Sequence, residues 1–326
     1  MATFKGIKGV KVVTKATDPT ASEAIGTVWY NSTSPSALKY AIEGAGAWAS
    51  ATAINSARGS NMGAGISNTS ALCFGGVPAP FSALTETFNG STWTEVNDLN
   101  TGRGVAGSAG TQTAAICCGG SPYSDLTEKW DGSTWTEVAT LNIGRGQGRS
   151  AGTSTASLYA GGWVPGANVL EVEFWDGTAW TEGADLNVAK ANAGGAMSGT
   201  QTSTMVFGGN APGVVDTNEE YNGTSWTEIN DLNTGRRALM GTGTVTSALA
   251  YGGSTLPSPP GLTAITEQYN GTSWTEVADL ATARMWAGCD GSGTSALCIG
   301  GESPGYFDIV ESWDGAPAVV KTVTTS

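Results

Sequence analysis

A chain of 326 residues with 15 Lys and Arg, 28 Asp and Glu and no histidine carries a formal charge of -13. Without imidazole there is no His-based triad, His metal ligand or His proton shuttle, and the charge opposes binding to phosphate backbones. Only 13% of residues are charged, 40% are hydrophobic and 48 are Gly, too apolar for a disordered chain and too glycine-rich for a helical one, so short strands joined by turns are predicted.

The first segment, 1–45, reads as an attachment arm with a small β-hairpin. Lys5, Lys8, Lys11 and Lys15 stand in a stretch without an acidic residue, which suits docking on an acidic partner or simple solvation. The first five residues lack the apolar core of a secretory signal, and no stretch approaches the length of a membrane span. A product of the cytosol without membrane insertion is expected. Two strands around a Ser/Pro turn follow, with Trp29 and Tyr30 as candidate attachment residues. The run Gly26-Thr27-Val28-Trp29-Tyr30-Asn31-Ser32-Thr33, followed by Leu38-Lys39-Tyr40, resembles N-terminal segments of structural and fibre-like proteins of tailed bacteriophages. The resemblance implies a virion protein, assembled in the host cytoplasm and joined to other virion proteins through this segment.

From residue 46 onward the chain repeats itself. Apolar runs ending in Gly-Gly recur at Gly75, Gly119, Gly161, Gly208, Gly252 and Gly300, at intervals of 44, 42, 47, 44 and 48 residues. Each is followed by a variable loop, an acidic strand ending in an aromatic (Phe88, Trp130, Trp175, Tyr221, Tyr269, Trp313), and Asn-Gly or Asp-Gly. Those dipeptides favour the positive φ of a tight turn, so the Trp-Thr-Glu that begins at Trp93, Trp135, Trp180, Trp226 and Trp274 returns antiparallel as the next strand. A cation comes next, Arg103, Arg145, Lys190, Arg236 or Arg284, matched ahead of the first repeat by Arg58. Each cation leads into a Gly/Ala-rich strand and the next apolar run. One period holds four short strands, the signature of a propeller blade.

The Arg before the first strand, Gly-Gly after the second, the aromatic closing the third and the Trp opening the fourth resemble the Kelch repeat over roughly residues 46 to 318. The fold this implies is an all-β, six-bladed propeller of four-stranded blades, with residues 319–326 as a C-terminal tail. The sixth repeat lacks its Trp-Thr-Glu after Trp313-Asp314-Gly315, while Gly46-Ala47-Trp48-Ala49 is an outer strand with no blade before it. Trp48 is therefore expected to complete the last blade.

The six cations are candidates for an anion-binding ring, set against a repeated structural hydrogen bond between blades. Glu95, Glu137, Glu182, Glu228 and Glu276 sit on outer strands, too far from one another for the paired carboxylates of a glycosidase. Asp131-Gly132-Ser133-Thr134-Trp135 is one residue short of the sialidase Asp box, and the copper centre of a galactose oxidase would need histidine. The five cysteines read as core residues, with no metal or cofactor expected. What varies is the loop after each Gly-Gly. Propeller connectivity puts these loops on one face, with Phe81, Tyr123, Trp163, Asn210, Tyr306 and Phe307 as candidate ligand-binding residues. The expected function is a non-enzymatic virion appendage, oligomeric in the particle, that binds a host surface carbohydrate or protein and no nucleic acid. A purely structural adaptor or capsid decoration protein and a carbohydrate-active enzyme are the alternatives.

Overall fold

The computed structural model describes residues 13–19, 28–33, 37–43, 46–78, 80–257, 261–315 and 318–323. Among them there are strands and turns but no helix. The chain divides into two compact units, residues 47–314 and a smaller one combining 1–46 with 315–326.

In the smaller unit Val13–Lys15 pairs in parallel with Val28–Asn31, which pairs antiparallel with Ala37–Glu43, which in turn pairs antiparallel with Ala318–Thr322. The segment assigned from sequence to a C-terminal tail thus contributes most of an edge strand. Trp29 is buried, and its Nε1 and Asn31 Nδ2 donate to Asp18 Oδ1 at 3.1 and 2.6 Å. Lys39 pairs with the other Asp18 oxygen, and with Asn31 and Trp29 it holds that carboxyl below its usual range.

The larger unit contains six four-stranded antiparallel sheets, five of them each built from one repeat. In the second repeat the strands are Gly107–Thr111, Ala114–Cys118, Thr127–Trp130 and Trp135–Val138. The hairpin closed by Asp131-Gly132 sets Trp130 opposite Trp135, and the same register places Phe88 opposite Trp93 and Tyr221 opposite Trp226. The last sheet takes its fourth strand from the other end of the repeat array. Ala47–Ala51 pairs with Val310–Asp314, with Trp48 opposite Trp313, as the missing Trp-Thr-Glu required.

Neighbouring sheets are joined by the repeated residues. Each Gly-Gly has two consecutive positive φ angles, near +60° and then +100°, which side chains rarely adopt. The second glycine's N–H donates to the carbonyl of the next repeat's cation at 2.7–2.9 Å, from Gly76 to Arg103 and onward to Gly301, which reaches Arg58. A Cβ at Gly75 would lie 2.5 Å from the Arg103 carbonyl oxygen. The outer tryptophans bridge the same seams, since Nε1 of Trp135, Trp180 and Trp48 donates to Oγ1 of Thr85, Thr127 and Thr266 on the preceding sheet at 3.0–3.1 Å. All five cysteines are buried free thiols. Burial pushes Cys117, Cys118 and Cys298 up to about 12, which keeps them protonated at neutral pH.

Candidate binding face

The cation ring read from sequence does not present itself to a ligand. Arg58, Arg103, Arg145, Lys190, Arg236 and Arg284 are 0–1% exposed. Each forms an ion pair with a glutamate on the third strand of its own sheet: Glu86, Glu128, Glu173, Glu219, Glu267 and Glu311 in turn. Arg103 Nη2 lies 2.5 Å from Glu128 Oε1 and Arg236 Nη2 2.9 Å from Glu267 Oε1. The other carboxylate oxygen takes the segment arriving from the preceding sheet. Glu128 Oε2 accepts from Asn100 N and Nδ2 at 2.8 and 2.9 Å, while Asn100 Nδ2 also reaches the Trp135 carbonyl. The cation's side chain is therefore neutralised within one sheet, while its backbone carbonyl takes the bond from the preceding sheet's Gly-Gly. The recurring Leu-Asn before it is the strap that the glutamate holds. That partnership was findable, because two opposite charges that recur together in every repeat have one another as the nearest means of burial.

The loops after Gly-Gly flank the entry to the inner strands. Gly59 bridges Val77, Gly146 bridges Trp163, Ala191 bridges Asn210 and Met285 bridges Glu302. Trp163–Val164 and Ala167–Asn168 form a small hairpin, and the Tyr123 and Trp163 rings lie 5.1 Å apart at 48°. Asn168 Nδ2 donates to the Asn210 carbonyl at 2.8 Å, so Tyr123, Trp163 and Asn210 belong to one linked run of loops. Beside it runs an open groove of about 480 Å³ lined by Asn168, Leu170, Val188, Ala189, Ala211 and Pro212, a volume that accommodates a small-molecule-sized group. Phe81, Tyr123 and Tyr306 are 36%, 39% and 42% exposed. Phe307 turns inward, with the Arg284 guanidinium 5.7 Å from its ring centre, and serves as packing. In the smaller unit Trp29 is likewise a core residue, whereas Lys15 is exposed and Tyr30 is 38% exposed. Lys5, Lys8 and Lys11 lie outside the described residues.

Inside the loops lies a feature that sequence reasoning missed. Two residues after each cation stand Ser60, Val105, Gln147, Asn192, Ala238 and Trp286, all left-handed with φ of +47 to +64°. Each donates its N–H to the carbonyl of the preceding member at 2.6–3.0 Å, and Ser60 donates to Trp286, so the six bonds return to their start. Left-handed backbone at non-glycine residues is strained and persists where the surroundings dictate it. With these backbone groups spent on one another, the side chains alone distinguish the members.

Asn192 Nδ2 donates to Gln147 Oε1 at 2.8 Å, and Trp286 Nε1 donates to Asn192 Oδ1 at 3.1 Å. This relay leaves the Gln147 amide N–H groups as its free end. Arg149, two residues after Gln147, anchors its Nε on the Ala193 carbonyl and Nη2 on the Leu239 carbonyl at 3.1 Å. Asn61 commits Nδ2 to Cys73 Sγ and the Ile299 carbonyl, while its buried Oδ1 has no partner. Ser60 Oγ donates to Glu302 Oε1 at 3.1 Å, and burial holds the Glu302 carboxyl above its usual range despite that bond. Together Ser60, Asn61, Gln147, Arg149, Asn192 and Trp286 border a cavity of about 30 Å³. An aromatic face, amides, a hydroxyl and a guanidinium form a set suited to stacking and hydroxyl recognition.

No protein-family model matches the chain, and no curated protein is significantly similar to it.

Proposed function

We propose that the larger unit is a closed, six-bladed Kelch-like propeller that recognises a polymer, carbohydrate in nature, on the face carrying the loops and the mouth bordered by Ser60 to Trp286. Two backbone circuits that return to their starting sheet support closure: the Gly-Gly bonds ending on Arg58 and the left-handed circuit ending on Trp286. The observation that carries the binding reading is a repeated backbone with unrepeated side chains. Six equivalent strained positions hold Ser, Val, Gln, Asn, Ala and Trp, whereas the buried ion pairs are nearly identical from repeat to repeat. A purely structural role calls for the same residue at each equivalent place; recognition of an irregular ligand calls for different ones.

The chain serves in this reading as a non-catalytic appendage of a tailed-phage virion, attached through its smaller unit. Trp163→Ala and Tyr306→Ala are expected to weaken adsorption to the host cell while leaving thermal unfolding unchanged. Gold-labelled antibody on purified particles should mark the tail or its fibres. Undiminished adsorption by both variants removes the loop face from recognition, and particles without label remove the virion assignment.

A further inference from the structure

Asp290 breaks the pattern of the inner strands. The equivalent positions in the other repeats are Ala64, Ala109, Ala151, Ala196 and Thr242, small and uncharged, whereas Asp290 is 3% exposed on Gly288–Ser292. Gly65 makes room for it, since a Cβ there would lie 2.2 and 2.4 Å from the two carboxylate oxygens. Neither oxygen is hydrogen-bonded by the protein. Burial drives the carboxyl well above its usual range, the neighbouring Gly291 amide offsets part of that without reaching hydrogen-bond geometry, and no protein cation contributes.

An uncompensated buried carboxylate costs several kcal/mol, so something must answer its charge. A proton alone is a poor answer. It would turn one oxygen into a donor, and neither oxygen has a hydrogen-bond partner where it stands. Asp290 also lines a cavity of about 10 Å³ together with Ser198, Thr242 and Gly291, room for one water-sized body. Ser198 Oγ and Thr242 Oγ1 both donate to the Gly291 carbonyl, which leaves their lone pairs as the remaining capacity. The wall thus offers one negative charge and neutral oxygens, the ligand type of hard cations. One carboxylate balances one positive charge; a divalent ion would leave an unanswered charge in a buried site. Among the described residues no group of three His, Cys, Asp or Glu gathers to hold such an ion.

We propose that this cavity is a site for a single alkali cation, sodium or potassium, held by the Asp290 carboxylate and the hydroxyl oxygens of Ser198 and Thr242. These residues come from the sixth, fourth and fifth sheets, so the ion ties three sheets at their inner edges. Binding to the folded state alone raises stability with the logarithm of cation concentration once that concentration passes Kd.

The test is thermal unfolding of the full chain in sodium, potassium or N-methylglucamine chloride at equal ionic strength. A higher Tm in sodium or potassium, rising with the logarithm of concentration and absent in Asp290→Asn, is expected. Should that variant not fold, Thr242→Val keeps the question open to measurement, with about tenfold more cation expected to be needed for the same rise in Tm after one lost ligand. Equal Tm in all three salts, or a difference that Asp290→Asn retains, overturns the proposal.

Discussion

The buried ion pairs and the mouth of the larger unit occupy neighbouring stretches of the same repeats, yet they follow opposite rules. A single glycine separates Arg103 from Val105, or Arg145 from Gln147. At the cation the partner is glutamate in all six repeats; two residues later no two repeats agree. The cation must be buried because the straps between sheets pass over it, and a buried charge admits few solutions. The left-handed position satisfies its backbone within a circuit and leaves the side chain unconstrained. Repetition marks where the fold is at stake, and variation marks where it is not.

Breaking the repeated side should cost most. Glu128→Ala leaves the Arg103 guanidinium buried without its counterion and frees the Asn100 strap, and a loss of about 3–5 kcal/mol in urea unfolding is expected. Trp226→Ala empties a buried site between two sheets and should cost about 3 kcal/mol or more. Asn218 marks a lapse in the repetition: Thr85, Thr127 and Thr266 accept from the next sheet's Trp, but Asn218 at the equivalent position accepts from none, and Trp274 Nε1 has no partner. Restoring threonine with Asn218→Thr should add about 1 kcal/mol. At the mouth the ordinary penalty for glycine should reverse. Val105→Gly relieves about 1–2 kcal/mol of left-handed strain against about 0.4–1 kcal/mol of added chain entropy, for a net gain of about 0.5–1 kcal/mol.

The smallest effect lies at the hairpin turns. The Thr134 and Ser133 amides draw Asp131 down to about 2, and the corresponding amides lower Asp176. A depressed carboxyl stabilises the fold above its unfolded value near 4, and that contribution fades as pH falls through the folded value. Asn89, Asn222 and Asn270 hold the equivalent amides without titrating. Tm measured from pH 4 to 2 should fall less steeply in Asp131→Asn/Asp176→Asn than in the parent chain.

The strands were legible because their signals are local: Asn-Gly turns, paired glycines and an aromatic on each side of a hairpin. Even the distant pairing of Trp48 with Trp313 could be read, since one repeat lacked the strand that another segment supplied. The cations were legible as a set, and their role only by pairing them with the equally recurrent glutamates, because burial depends on what arrives from elsewhere in the chain. Ala318–Thr322 shows the same limit, for its partner lies almost 280 residues away in sequence. The left-handed positions gave no signal at all. Glycine announces positive φ, and here Ser, Val, Gln, Asn, Ala and Trp adopt it because the circuit requires it.

The shared last sheet also sets a timetable. Ala47–Ala51 leaves the ribosome long before Val310–Asp314, and at about 5–20 residues per second the interval is roughly 13–50 s. Through that time five sheets can form while the sixth cannot, and the first repeat faces an unfinished neighbour. A nascent chain of this protein therefore carries Ala47–Ala51 as an unpaired strand until Val310–Asp314 is made.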